Sequence, residues 1–154
     1  MGNFVGEATS PVITNSDGNY EITPGDLLVY TSAADVAQPA SSVPHGASEA
    51  ADQQAVHDKF LGVAQTTVHA DGQPIKLRAA VNGVFNMVAS GAIQFGSLVG
   101  TVTTGTMIEN RKVKTVTNKK YAIGTAQSSA TDGQNVQVRI VSVIFDDGRV
   151  AIAT

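Results

Sequence analysis

Apolar residues in this chain come in short runs rich in Val, Ile and Leu, broken every few positions by Gly, Asp, Asn or Pro. That spacing predicts strands joined by turns. Strands are expected at 11–14 and 19–22 around a hairpin turn at Asn15-Ser16-Asp17-Gly18, and at 27–30 after Pro24-Gly25. Residues 63–68 and 75–81 flank a second turn, Ala70-Asp71-Gly72-Gln73. Asn82-Gly83 is the strongest hairpin signal, because both central positions of such a turn need φ > 0, and 84–88 is expected to return from it. The series continues at 98–103, 112–116 and 122–126. The longest strand is expected at 136–145, turning at Asp147-Gly148 into 150–152. No helices alternate with these strands, so a parallel α/β sheet is not expected. Residues 31–58 break the spacing. Within them 32–48 reads as a loop, and 48–60 as a short helix with Ser48 as N-cap and acids in its first turns.

The strand pattern repeats. Leu61-Gly62-Val63-Ala64-Gln65-Thr66-Thr67 is answered by Ile123-Gly124-Thr125-Ala126-Gln127-Ser128-Ser129, 62 positions on. Asp71-Gly72-Gln73 returns as Asp132-Gly133-Gln134, and Lys76-Leu77-Arg78 is matched to Gln137-Val138-Arg139. Upstream, Pro24-Gly25-Asp26-Leu27-Leu28-Val29 is matched by Phe95-Gly96-Ser97-Leu98-Val99-Gly100. The expectation is an all-β fold of two related β units, with 31–58 inserted in the first and Arg111-Lys112-Val113-Lys114 in the shorter gap of the second.

Composition adds a constraint on the surface. Only 15% of residues are charged, below the usual ~25%, and there is no Cys. Disulfides and thiolate metal sites are thereby excluded. The chain shows no signal-peptide pattern and no membrane span, so it is expected to be soluble and not exported by ordinary routes. The net charge of −3 hides an asymmetry: residues 1–58 hold eight acids and no Lys or Arg, while 59–154 hold all ten basic residues and five acids. Two readings stand side by side, acidic-to-basic contact between subunits and neutralisation within one fold.

Candidate chemistry is sparse. His45, His57 and His69 lie twelve positions apart, which is no metal-ligand spacing, and they are expected to be exposed and unrelated, with no metal and no cofactor. No nucleophile elbow, phosphate loop or dinucleotide fingerprint is present, and Asp146-Asp147 and Ser90 are explained by turn chemistry, so no catalytic residue is assigned. Five of the ten basic residues lie between Arg111 and Lys120, and Lys112, Lys114 and their neighbours alternate with apolar positions. Nucleic acid is not expected as a partner, because aromatic stacking residues are nearly absent; edge-protecting lysines are the favoured reading. Arg111, Lys112 and Lys114 are also kept as a subunit contact. Residues 2–14 read either as an extended arm that adds to another protein's sheet edge or as the first strand of the chain's own sheet.

The order of Gly25-Asp26-Leu27, Leu61-Gly62-Val63-Ala64, Asn82-Gly83-Val84-Phe85, Ala89-Ser90-Gly91-Ala92-Ile93, Gly96-Ser97-Leu98-Val99 and Ile123-Gly124-Thr125-Ala126 resembles the capsid decoration (cement) proteins of tailed bacteriophages, over roughly residues 20–145. The resemblance implies a small β-barrel or β-tulip (β-clip-like) core in residues 21–154, a homotrimer on the outside of the expanded head, and no catalysis. It also implies an N-terminal arm within residues 1–20 that docks on the major capsid protein through Asn3, Phe4, Val5, Val12 and Ile13. The protein would then be made in the host cytoplasm and reside in the virion, with no membrane partner. The alternatives are another virion module, such as a head fibre base or tail component, and a small enzyme on a β-clip scaffold.

Overall fold

The computed structural model describes the backbone of residues 4–5 and the whole of residues 11–144. Eleven strands are described: β1 (Phe4–Val5), β2 (Pro11–Ser16), β3 (Leu27–Thr31), β4 (Val36–Pro39), β5 (Phe60–Ala64), β6 (Ile75–Ala80), β7 (Asn82–Ala89), β8 (Leu98–Thr104), β9 (Met107–Thr115), β10 (Gly124–Ala126) and β11 (Asn135–Val141). One α-helix, α1 (Glu49–Lys59), lies between β4 and β5. The fold is all-β and built of two units, as the sequence pattern predicts.

The first unit is a five-stranded sheet in the order β2-β6-β5-β3-β4. The second runs β7-β11-β10-β8-β9, and β9 pairs in parallel with β7 (Val88↔Lys112, Ala89↔Val113), so that sheet closes on itself. β1 lies antiparallel on the part of the β7 edge that β9 leaves open, with Phe4 opposite Phe85 and Val5 opposite Val84. In the first unit the corresponding strands, β2 and β4, form no ladder. β4 has four residues against nine in β9, too few to reach across.

The repeat is visible bond by bond. Leu28 faces Gly62 as Val99 faces Gly124. The bridge Ile22↔Val68 returns as Ile93↔Ala130. The Gln65 amide donates to the Arg78 carbonyl, and the Gln127 amide to the Gln137 carbonyl. Hydroxyls of Thr66 and Ser128 accept from the amides of Arg78 and Gln137. These bonds correct one sequence match: Arg78 corresponds to Gln137 and not to Arg139, because the first unit has two more residues after its Asp-Gly turn.

Gly62 and Gly124 sit where one strand crosses close over the next. A Cβ at Gly62 would meet the Ala80 carbonyl oxygen, and one at Gly124 would meet that of Arg139. The alternation of the strands then splits the core. Leu27, Val29, Phe60, Val63 and Val56 of α1 pack with Phe85, Met87, Val99, Ile123, Val136 and Val138 in a cluster that joins both units. Leu28, Leu61, Ala64, Leu77 and Ala79 turn the other way into a second cluster inside the first unit.

Several local expectations are overturned. Residues 19–22 form no strand; Ile22 makes only its bridge to Val68, so Asn15 to Gly18 is not a hairpin turn. Asn82-Gly83 opens β7 opposite Val141 and Ile140 and carries the chain from the first sheet into the second. Gly83 does take a positive φ of 118°, but the tertiary crossing uses it in place of a two-residue turn. Within the expected loop 32–48, β4 and a 3-10 turn at Ala40–Ser42 are ordered against β3 and β9. The expected turn at Asp147-Gly148 and strand 150–152 lie outside the described residues.

Replacing Gly124 by Ala forces its Cβ against backbone that cannot step aside. We expect a loss of about 1–3 kcal/mol, read as a lower urea midpoint with an unchanged slope.

Candidate interaction surface

The inserted segment is fastened to the second unit by polar bonds along α1. Ser48 caps the helix by accepting from the Ala51 amide at 3.2 Å. One turn in, Asp52 is only 1% exposed and its carboxylate is fully engaged. It accepts from the Gly46 amide at 2.6 Å and the Thr103 hydroxyl at 2.7 Å, and His45 Nδ1 lies 2.7 Å away. Burial pushes the Asp52 carboxyl up, but these donors and the neighbouring imidazole outweigh it and hold the group below the usual carboxylate range. Glu49 behaves the same way. Burial raises it, and the bond from Lys114, the Thr103 amide and the Lys114 charge together bring it below its ordinary value. Gln53 donates to the Thr101 carbonyl at 3.0 Å, and His57 Nδ1 donates to the Ala122 carbonyl at 2.7 Å.

The histidines have separate partners, and His45 and His69 are exposed as expected, while His57 is half-buried. His45 bonds Asp52 within the insertion, His57 ties the last turn of α1 to the Ala122 carbonyl, and His69 bonds Glu21 in an exposed pair. Among the described residues no group of three or more His, Cys, Asp or Glu side chains converges as a metal site would.

The basic strand meets the acidic segment inside the chain. Arg111 Nε donates to Asp26 at 2.8 Å, and its Nη2 donates to the Thr23 hydroxyl at 2.7 Å and the Pro24 carbonyl at 2.6 Å. Lys114 pairs with Glu49 at 2.8 Å. Of the three residues kept as a subunit contact, Arg111 and Lys114 are thus engaged within the fold, and Lys112 is exposed on β9. Lys112 also does not guard an open edge, since it lies in the ladder with β7. Of the arm residues, Asn3 lies outside the described residues and Phe4 and Val5 form β1. Val12 and Ile13 lie in β2, opposite Ala79 and Arg78, with Ile13 59% exposed.

A different surface emerges from the repeat itself. The turn Thr23-Pro24-Gly25-Asp26 is clamped by Arg111, whereas its counterpart Gln94-Phe95-Gly96-Ser97 carries Phe95 with 69% of its surface exposed. Three amides of this turn are bonded: that of Phe95 donates to the Ser129 hydroxyl, that of Gly96 to the Ala126 carbonyl and that of Ser97 to the Gln94 carbonyl. Beside it, Leu98, Thr125, Ile123, Val141 and Val143 line an apolar groove of about 310 Å³, with His57 and Lys119 also in its wall. Sequence reasoning passed over Phe95, although the exchange of Pro24 for Phe95 at matched turn positions is visible in the repeat.

Substitutions at Arg111 and Asp52 test these arrangements. Arg111→Ala removes three bonds at once and should cost about 1–3 kcal/mol, with Arg111→Lys failing to restore them because a single ammonium cannot reproduce the fork. For Asp52, a folded pKa below the unfolded one means that the unfolded chain binds more protons in the acid range, so stability falls as pH drops through that range. Asp52→Asn should be less stable than the parent near neutral pH, on the order of 2 kcal/mol, and the gap should close in acid. Urea titrations across pH measure both.

No protein family matches the sequence, and no curated protein is similar to it by sequence. Among solved structures, the chain is similar to the N base of the head fiber protein gp8.5 of bacteriophage phi29, with a TM-score of 0.52 and 18% identity over 85% of this chain and 94% of that one. At that identity the likeness is one of fold.

Proposed function

We propose that this chain is a structural protein of a phage virion, attached to the outside of the head as the base of a projection. The observation that carries the reading is the fold likeness to a head fiber base, which spans nearly the whole of that module. The capsid-decoration resemblance in the Gly-centred motifs supports the same location by a separate route. The interior is consistent with it: the polar side chains along α1 fasten one segment to another, which suits a rigid platform.

The finer form of the reading has the major capsid protein as partner and three copies per site. A second reading, a cement protein clamping neighbouring capsomers, rests on the motif resemblance alone. In either case the protein would stabilise the state it binds by mass action, as RT ln(1 + [L]/Kd) per site.

Electron microscopy of purified particles of the parent virus, labelled with antibody to this chain, tests the proposal. Label on the head at the foot of projections is expected, and label spread over a smooth shell favours the cement reading. Label on tails, or none on particles, overturns both. The arm's part is tested by deleting residues 2–10, which spares the β2 ladder; head binding should fall while the fold, followed by circular dichroism, is kept.

A further inference from the structure

We propose that the edge of β2 is the docking site for the chain's own segment after Ile144, which straps the first unit there as β1 straps the second. That segment, residues 145–154, lies outside the described residues. Matched positions fix the place. Arg78 corresponds to Gln137, and these two stand opposite Ile13 and Asn86 in their ladders. Val12 of β2 therefore corresponds to Phe85 of β7, and Pro11 to Val84. In the second unit this stretch of edge is covered, with Phe4 opposite Phe85 and Val5 opposite Val84. In the first unit, among the described residues, β2 pairs with β6 alone and no strand pairs with its other edge.

A cavity of about 290 Å³ lies at that edge, with Val12, Thr14, Tyr30, Leu61 and Ile144 in its wall. It marks the unfinished side of a core. Leu28, Leu61, Leu77 and Ala79 are buried in the first unit's own cluster, whereas Val12, Tyr30 and Ile144, packed against that cluster, are only half-buried. A covering segment would remove the remaining apolar surface from water, at about 25 cal/mol per Å². It would also occupy an open strand edge, which otherwise templates pairing with other chains.

The course of the chain names the occupant. The Val141 amide still donates to the Ile123 carbonyl in the second unit. The Ser142 amide then donates to the Val81 carbonyl, and those of Val143 and Ile144 to the Phe60 carbonyl on β5. The chain has thus crossed to the first sheet, and Ile144 stands in the cavity wall. Phe145 comes next, and Val150-Ala151-Ile152 follows after Asp146-Asp147-Gly148-Arg149. Ten extended residues reach about 33 Å and the β2 edge spans about 20 Å, so the segment is long enough. Tethering at Ile144 holds it beside this edge at a high effective concentration, which favours it over a free partner.

The chain contains no cysteine, so introduced thiols report cleanly. Thr14→Cys is combined in the full chain with Phe145→Cys, Asp147→Cys, Arg149→Cys or Ala151→Cys in turn, and each pair is oxidised mildly in dilute solution. At least one pair should close a disulfide within the chain, read as loss of both thiols with no dimer on a gel run without reductant. In the parent, hydrogen exchange of amides within 145–154 should be slowed about tenfold or more relative to a free peptide of that sequence. Joint replacement Phe145→Asp and Ile152→Asp should abolish the slowing while β7 and β11 keep their protection. Free-peptide exchange throughout 145–154 overturns the proposal, as does failure of every pair to close within the chain. Disulfides formed only between copies also overturn it and give the edge to a second copy. No viral particle enters these measurements, so their outcome is separate from that of head attachment.

Discussion

The architecture depends on a close strand crossing that is made twice and leaves no space for a side chain. At Gly62 and at Gly124 the β5 and β10 backbones press against the carbonyl oxygens of Ala80 and Arg139. That approach lets a short middle strand pair on both sides, with β3 and β6 in one unit and with β8 and β11 in the other. Given the crossing, the neighbouring turns follow, since the amides of Gly25 and Gly96 donate to matched carbonyls, those of Ala64 and Ala126, in the two units. Packing density makes such positions unforgiving, because nearby main chain has no alternative rotamer to adopt.

Around this shared frame the chain spends its charges on joining unlike parts. Removing a carboxylate from water is costly unless hydrogen-bonding partners replace the lost hydration. Asp52 has three of them, His45 and Gly46 from the loop before α1 and Thr103 from β8. The insertion is thereby fixed in one place on the second unit by directional bonds, while Val56 supplies the apolar contact. Arg111 does for the first turn what Asp52 does for the helix, reaching three acceptors with one planar group. The opposite charges of the two halves of the sequence thus meet, in part, inside the molecule.

How far the sequence reached depended on the range of the interaction. Strand positions, the Ser48 cap and the duplication are local signals and were legible: β6, β7, β8 and α1 fall where residue patterning puts them. Asn82-Gly83 misled because turn propensity is local, whereas the Val141 and Ile140 partners that claim it come from more than fifty residues away. β4 was invisible for the same reason, its four residues being ordered by β3 and not by their own pattern. The bond from His57 to the Ala122 carbonyl was not legible, because its two ends lie 65 residues apart in the chain and are joined only by the fold. Of the candidate surface, the Pro24-to-Phe95 exchange could be read from the chain, but the groove beside it required three strands to be assembled.

The closed ladder between β7 and β9 has no twin in the first unit, and this lopsidedness gives the molecule a polarity. A faithful duplication would offer every face twice, related by a half-turn, and could lie on a support in two equivalent ways. Here one half is sealed, strapped by β1 and bears the exposed aromatic turn, while in the other, among the described residues, β2 and β4 form no ladder. Each face therefore occurs once per chain. An object of this kind has a top and a bottom, and anything it carries or sits on meets it in a single orientation.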